Sequence, residues 1–125
     1  MDTITPKYAF FDADNVGAAI EMLLREDKLD QGINLSNKIK QAFREIEEKF
    51  LTSAQIKILI SAGDDLLIEI TSQSQNHDSF LNETRKLFFE ITGLSLSCGV
   101  GDTIPEAVQN LYLAKLYGKN RIVGK

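Results

Sequence analysis

The feature that most constrains the fold is a pair of short apolar runs on either side of three turn-forming residues. Residues 56–62 and 66–71 are rich in branched aliphatic side chains, and Gly63, Asp64 and Asp65 lie between them. Branched side chains favour strands, and glycine next to aspartate favours a tight turn. The segment therefore predicts a β-hairpin, with two strands that are antiparallel neighbours in a sheet.

The part of the chain before this hairpin predicts one strand and a long helix. Residues 7–12 form an aromatic and apolar run that ends abruptly in turn-forming residues, which is typical of a strand. A helical turn is predicted at 18–24. After the polar stretch 25–32, apolar residues three and four apart predict the first long amphipathic helix, with Asn34 or Ser36 as its cap.

The part after the hairpin has the clearest helix start. Thr103 and Glu106 have the spacing of a capping box, in which the two side chains accept hydrogen bonds from backbone amides of the first turn. This helix is predicted to continue to Tyr117, because Gly118 then stops it. The other elements predicted here are a helix at 80–91, a strand at 94–101 and a short edge strand at 121–123.

The predicted order of elements is β-α-β-β-α-β-α-β. Its first six elements match a ferredoxin-like α+β core with a mostly antiparallel sheet, and a C-terminal helix and a short strand follow. The chain has 125 residues and contains no long polar tract, so we expect a single domain over residues 1–125.

Four carboxylates are expected to converge in this topology. Asp12 and Asp14 follow the first strand, and Asp64 and Asp65 lie in the hairpin turn, which an antiparallel neighbour places beside the end of that strand. Each motif alone is also typical of a helix cap or a turn. Crowded carboxylates without a lysine or arginine in either motif favour a hard divalent cation, so we predict Mg²⁺ or Mn²⁺, with two ions, at this rim.

Several neighbouring residues are candidates for holding a phosphate-bearing substrate. Gly63 leaves backbone amides accessible, as do the first amides of a helix after Asp14, where Asn15 lies. Lys115 and Lys119 lie one turn apart near the end of the last helix, where they could hold a triphosphate. The alternative for both lysines is that they only complement the helix dipole.

Charge and cysteine content restrict the ligand and the compartment. The formal net charge of −4 argues against binding of long nucleic acids, which requires a basic surface, so a nucleotide ligand is expected to be small. Cys98 is the only cysteine, which excludes an internal disulfide, and its apolar surroundings predict a buried structural thiol. With no signal peptide and no apolar run of membrane-spanning length, we expect a cytoplasmic protein.

Four motifs together resemble the superfamily of GGDEF and CRISPR polymerase palm domains. They are FFDAD at the end of the first strand, AGDD at the hairpin, LSCGVGD on the fourth strand and NLYLAKLYGKNRIVG at the C-terminus. The last motif is the most specific, because diguanylate cyclases have a similar ending. The short length, DADN and AGDD are most similar to the minimal CRISPR polymerase (mCpol) family.

This resemblance implies a nucleotidyltransferase that makes a cyclic oligonucleotide. The favoured product is a cyclic dinucleotide, and the favoured substrate is ATP. The implied biological setting is antiphage defence of the Panoptes type. It also implies a separate effector, a membrane protein, that senses the product. Two triphosphates must face each other, so a homodimer is one arrangement. Segment 18–32 departs from the diguanylate cyclase pattern, so residues that read guanine cannot be assigned in it.

The same resemblance implies roles for the candidate residues. Asp12 and Asp64 correspond to metal ligands, and Asp14 and Asp65 assist them. Asp12, Asp64 and Asp65 are thus the expected catalytic residues and metal ligands. The residues expected to bind the substrate are Asp14, Asn15, Gly63, Lys115 and Lys119, of which the two lysines contact phosphates. Three other functions stay open: a non-catalytic nucleotide sensor on the same fold, a nucleotide hydrolase, and an RRM-like RNA-binding module. The net acidic charge disfavours the last of these.

Overall fold

A five-stranded sheet lies at the centre of the protein, which a computed structural model describes over residues 5–71 and 77–125. The strand order is β2-β3-β1-β4-β5, and neighbouring strands are antiparallel except for the parallel pair β4 and β5. The strands are β1 (Lys7–Ala13), β2 (Ile56–Ser61), β3 (Asp65–Ile70), β4 (Leu96–Gly101) and β5 (Ile122–Val123).

Helices connect and cover the strands in the predicted order with one addition, because the helical turn expected at 18–24 is a complete helix. The described helices are α1 (Val16–Arg25), α2 (Leu29–Leu51), α3 (Asp78–Thr92) and α4 (Ile104–Leu116). The architecture is the expected α+β ferredoxin-like core with a C-terminal helix and a short strand. Within the two described ranges, none of the helices has the length and apolar character needed to cross a membrane.

One face of the sheet forms the main core with α2 and α3. Side chains alternate across a strand, so Ala9 and Phe11 of β1 point into this core and are fully buried. An aromatic contact joins these two helices: the rings of Phe43 on α2 and Phe88 on α3 lie 5.4 Å apart edge to face. Cys98 is buried in the same core, as predicted, and burial raises the pKa of its thiol.

Helix α4 packs on the opposite face of the sheet, directly against the backbone of β4. A Cβ atom placed on Gly99 would lie 2.1 Å from the amide nitrogen of Leu111 and 2.2 Å from the carbonyl oxygen of Ala107. Only glycine permits such a close approach of helix and strand backbones. This contact sets the height of α4 above the sheet and therefore the position of the side chains in its last turn.

The start of α2 differs from the prediction. The helix begins at Leu29, so Asn34 and Ser36 lie inside it and neither caps it. A tertiary contact accounts for the two extra turns, because α1 is a complete helix and packs against this part of α2. Gly32 is buried there, and Leu24 of α1 comes within 3.5 Å of the position that a Cβ atom of Gly32 would occupy.

The predicted start of α4 is confirmed in its geometry. The hydroxyl of Thr103 accepts a hydrogen bond from the amide of Glu106 at 3.2 Å. The Glu106 carboxylate accepts one from the amide of Asp102 at 2.9 Å, one residue before the amide used in the usual capping box. The two bonds satisfy two amides at the helix N-terminus.

Thr103→Ala is expected to destabilise the protein by about 1 kcal/mol, because it removes the cap of α4. The free energy of unfolding from urea denaturation measures this loss. Gln109→Ala, on the exposed surface of the same helix, is the matched control and should change stability by less than about 0.5 kcal/mol. Equal losses for the two variants would show that the cap contributes nothing.

A candidate metal and nucleotide site at the end of the central strand

Three of the four predicted carboxylates meet at the end of β1. The register of the sheet places Asp12 directly opposite Asp65, and the amide of Ala13 donates to the carbonyl oxygen of Asp64 at 3.1 Å. Asp12, Asp64 and Asp65 can each direct a carboxylate oxygen into a group whose members lie within 4.8 Å of one another. We call these three residues the acid cluster.

The acid cluster has an unfavourable concentration of negative charge. Partial burial raises the pKa of Asp65, and the neighbouring charges of Asp64 and Asp12 raise it further. The donor set consists only of carboxylate oxygens, which suits a hard divalent cation such as Mg²⁺ or Mn²⁺ better than a soft metal. The residues present therefore fit the metal that the sequence predicts.

The turn between β2 and β3 depends on its glycine for backbone conformation. Gly63 has a φ of +92°, a value that other residues rarely adopt, and nothing lies within 4 Å of the position of a Cβ atom. Gly63 is exposed at the edge of the acid cluster. The geometry is compatible with access of a phosphate to this backbone, and the substrate-binding role of Gly63 stays a prediction.

Asp14 lies apart from the acid cluster, in contrast to the predicted convergence of four carboxylates. Its side chain is buried, with 1 % of the residue exposed, because β1 ends at Ala13 and the chain turns toward β4. Its oxygens accept hydrogen bonds from Ser95 at 2.7 Å, from Ser97 at 2.8 Å and from the amide of Asn120 at 3.0 Å.

A fourth donor to Asp14 is the ammonium group of Lys115, 2.6 Å from Oδ1. Burial by itself raises the pKa of Asp14, but the hydrogen bonds from Lys115, from the two serines and from the Asn120 amide outweigh it and hold the pKa below its ordinary value. Asp14 is therefore an ionised carboxylate whose hydrogen bonds are satisfied within the fold, and its substrate-binding role stays a prediction.

Lys115 connects Asp14 to the acid cluster. Its Nζ atom lies 3.0 Å from Oδ2 of Asp12 and also contacts the carbonyl oxygens of Asp12 and Ala13 at 3.3 and 3.2 Å. The site thus contains a cation that neither acidic motif includes, supplied by the last turn of α4. A phosphate that approaches the acid cluster would meet this ammonium group.

Lys119 lies beyond the end of α4, whereas the sequence predicts that it lies on this helix one turn after Lys115. It has a φ of +66°, and its ammonium group donates to the side-chain oxygen of Asn15 at 2.5 Å. Asn15 precedes α1 but makes no capping hydrogen bond with its side chain. Asn15 follows Asp12 of the acid cluster by three residues, and Lys119 follows Lys115 by four. The substrate contacts of Asn15 and Lys119 stay predictions.

The polar residues that surround Asp14 were not predicted from the sequence. Ser95, Ser97 and Asn120 are separated from it by 81 to 106 residues along the chain. One signal was available, because Ser97 interrupts an otherwise apolar strand and is fully buried in it. A buried serine needs a hydrogen-bond partner.

The sheet with helices on both faces is a palm-like α+β fold, which solved structures share. The chain superposes on the Csm1–Csm4 cassette in complex with AMPPNP with a TM-score of 0.72, 20% identity and coverage of 96% of this chain and 21% of that chain. The cassette in complex with cA4 matches with a TM-score of 0.67, 21% identity and the same coverage.

The diguanylate cyclase SiaD from Pseudomonas aeruginosa, solved with its activator SiaC, has the same fold. It matches with a TM-score of 0.69 and 17% identity over 96% of this chain and 50% of that chain. The chain thus spans about a fifth of the length of the Csm1 chains and half that of SiaD. A comparison with curated protein sequences gives no significant match.

A family model identifies the particular family. The minimal CRISPR polymerase domain, mCpol, matches residues 8–125, which is nearly the whole chain. The protein therefore belongs to the mCpol family, as the sequence motifs indicated.

Proposed function

We propose that the protein is a metal-dependent nucleotidyltransferase that joins nucleoside triphosphates into a cyclic oligonucleotide, with a cyclic dinucleotide favoured. The observation that carries this proposal is the acid cluster, placed beside the Lys115 ammonium group at the end of the central strand of a polymerase-family palm domain. Carboxylates for divalent cations and a cation for phosphates are the two requirements of phosphoryl transfer.

The proposed mechanism assigns each residue a physical task. Asp12, Asp64 and Asp65 would hold two divalent cations. These ions would supply activation of a ribose hydroxyl and neutralisation of the charge on the pyrophosphate leaving group. Lys115 would hold the triphosphate in line for attack of the hydroxyl on the α-phosphate, and backbone amides near Gly63 would approach phosphate oxygens.

In each step the 3′- or 2′-oxygen of one nucleotide forms a bond to the α-phosphorus of the next, and the bond from that phosphorus to pyrophosphate breaks. The hydroxyl proton leaves to solvent. A second step of the same kind closes the ring. The fixed positions of Asp12 on β1 and Asp65 on β3, in direct register, would keep the reacting groups aligned.

Adenine is the base that the comparisons favour. The Csm1–Csm4 cassettes on which this chain superposes contain AMPPNP or cA4, both adenine nucleotides. SiaD, a diguanylate cyclase, supports guanine as the alternative. We therefore propose ATP as the favoured substrate.

The biological setting that we propose follows from the family alone. The product would act as an antiphage signal that a separate membrane effector senses. Two copies of the chain, with their acid clusters facing each other, would bring two triphosphates together.

Incubation of the purified protein with each nucleoside triphosphate and Mg²⁺, followed by mass spectrometry of the products, tests the proposal. A phosphatase-resistant cyclic product, formed with release of pyrophosphate, is the expected result, with ATP as the preferred substrate. Nucleoside di- or monophosphate alone would establish a hydrolase instead. Triphosphate binding without turnover would establish a nucleotide sensor.

A further inference from the structure

A polar cluster around the buried side chains of Asp14 and Ser97 joins four separate parts of the chain next to the acid cluster. It consists of Asp14, Ser95, Ser97, Lys115 and Asn120, which come from the end of β1, from β4 and the residues before it, from α4 and from the turn after α4. Within the described residues, no buried side-chain oxygen or nitrogen is left without a hydrogen-bond partner. The cluster is therefore complete, although a buried charged group is costly unless it is fully paired.

The geometry at Lys115 distinguishes two partners of different kinds. Asp14 holds the ammonium at 2.6 Å with a side chain that has no exposed surface, whereas Asp12 holds it at 3.0 Å with a side chain that is about one-third exposed. The pair with Asp14 is the shorter and better shielded from water, so it is the stronger of the two. Lys115 would stay in place when the Asp12 carboxylate is used for other contacts.

The Asp14 carboxylate also supports the turn that carries Lys119. Lys119 and Asn120 both have positive φ values, 66° and 51°, which cost energy in residues other than glycine. Four hydrogen bonds oppose this cost: the Asn120 amide donates to Asp14 and to Ser97, the Asn120 side chain accepts from Arg85 at 2.7 Å, and the Lys119 amide donates to the Ala114 carbonyl oxygen.

We propose that Asp14 is a positioning residue that holds Lys115 at the acid cluster and holds the turn with Lys119 beside Asn15. This inference rests on the proposed function for its kinetic consequence, but the positioning itself is a property of the folded chain. Asp14 contacts no substrate. It acts through two cations that come from the other end of the sequence, about one hundred residues away.

Lysine labelling tests the positioning without any need for turnover. The Lys115 ammonium is surrounded by oxygens of Asp12, Ala13 and Asp14 and should react with an amine-specific reagent more slowly than the exposed Lys40, as measured by mass spectrometry. Asp14→Asn should abolish this protection. Lys7, which pairs with Asp102 at the other end of the sheet, should keep its own rate in both proteins.

If Asp14→Asn does not fold, Lys7 becomes reactive as well, and Ser97→Ala then serves as a second variant. It keeps the charge of Asp14 but removes one donor to it, so it should increase Lys115 labelling to a smaller extent. The inference is wrong if Lys115 stays protected in a folded Asp14→Asn protein. If only Ser97→Ala folds, unchanged protection of Lys115 in that variant likewise shows that Asp14 and its cluster do not position Lys115.

Kinetics of the folded variants provide the functional measurement. Asp14→Asn and Lys115→Met should each lower kcat/KM by about tenfold to a hundredfold, the usual effect of losing a supporting contact in such a site. The loss in the double variant should be far smaller than the product of the two single losses, because both changes remove the contact between Asp14 and Lys115 and only the effect of Asp14 on the Lys119 turn remains. Multiplicative losses would overturn the inference, whereas an inactive wild type with normal Lys115 protection would contradict only the proposed function.

Discussion

Asp64→Asn is expected to lower product formation from triphosphates at least about a thousandfold. Loss of an outer contact in a metal site commonly costs 10–100-fold, and a direct carboxylate ligand contributes more. Asp64 is the cleanest position for this test, because its exposed side chain makes no hydrogen bond or ion pair with the rest of the described chain. Asparagine keeps its size and removes only the charge. The free energy of unfolding of the variant should therefore match or slightly exceed that of the wild type, because one of the crowded negative charges is removed.

Asp12→Asn should cause a loss of the same order, although its interpretation includes the ion pair with Lys115. The measurement for both variants is the initial rate of cyclic product or pyrophosphate release with saturating Mg²⁺. Asp102→Asn is the matched control, since this aspartate lies at the opposite end of the sheet and pairs with Lys7. Full activity of Asp64→Asn would exclude the acid cluster as the metal site.

Gly99→Ala is expected to destabilise the protein by about 3 kcal/mol or more, at or above the upper end of the usual cost of overpacking. The added methyl group would lie 2.1 and 2.2 Å from backbone atoms of α4, which cannot move independently of the helix. Helix α4 must shift away from β4 or the domain must unfold. The free energy of unfolding from urea denaturation measures the loss.

A displaced α4 would also withdraw Lys115 from Asp12, because Lys115 belongs to the last turn of α4 and moves with the helix. A folded Gly99→Ala protein should therefore lose activity as well. Gly17→Ala is the control for stability, since nothing lies within 4 Å of a Cβ atom at that position in α1 and its φ is not positive. Alanine there should stabilise the protein by no more than about 1 kcal/mol. Equal free energies of unfolding for Gly99→Ala and Gly17→Ala would contradict the conclusion that α4 packs too closely on β4 for any side chain at position 99.

Local sequence patterns predicted most of the elements because each pattern reports a local physical preference. The aromatic and apolar run of β1 predicted a strand, and the glycine and aspartates between β2 and β3 predicted a hairpin. Thr103 with Glu106 predicted the start of α4. The start of α2 could not be found in this way. Its first two turns are polar and are stabilised by α1 at Gly32, a contact between different elements.

The sequence by itself determined the order of strands and helices, the family and the convergence of Asp12, Asp64 and Asp65, because an antiparallel hairpin must bring its turn to the end of its neighbour. Tertiary structure decided where Asp14 and Lys115 lie. Asp14 follows Asp12 by two residues and lies on the same side of the sheet, but its carboxylate is buried against Ser97 and Lys115 and does not join the acid cluster. Lys115 enters the site because α4 rests on the glycines of β4, and that spatial contact links residues about one hundred positions apart.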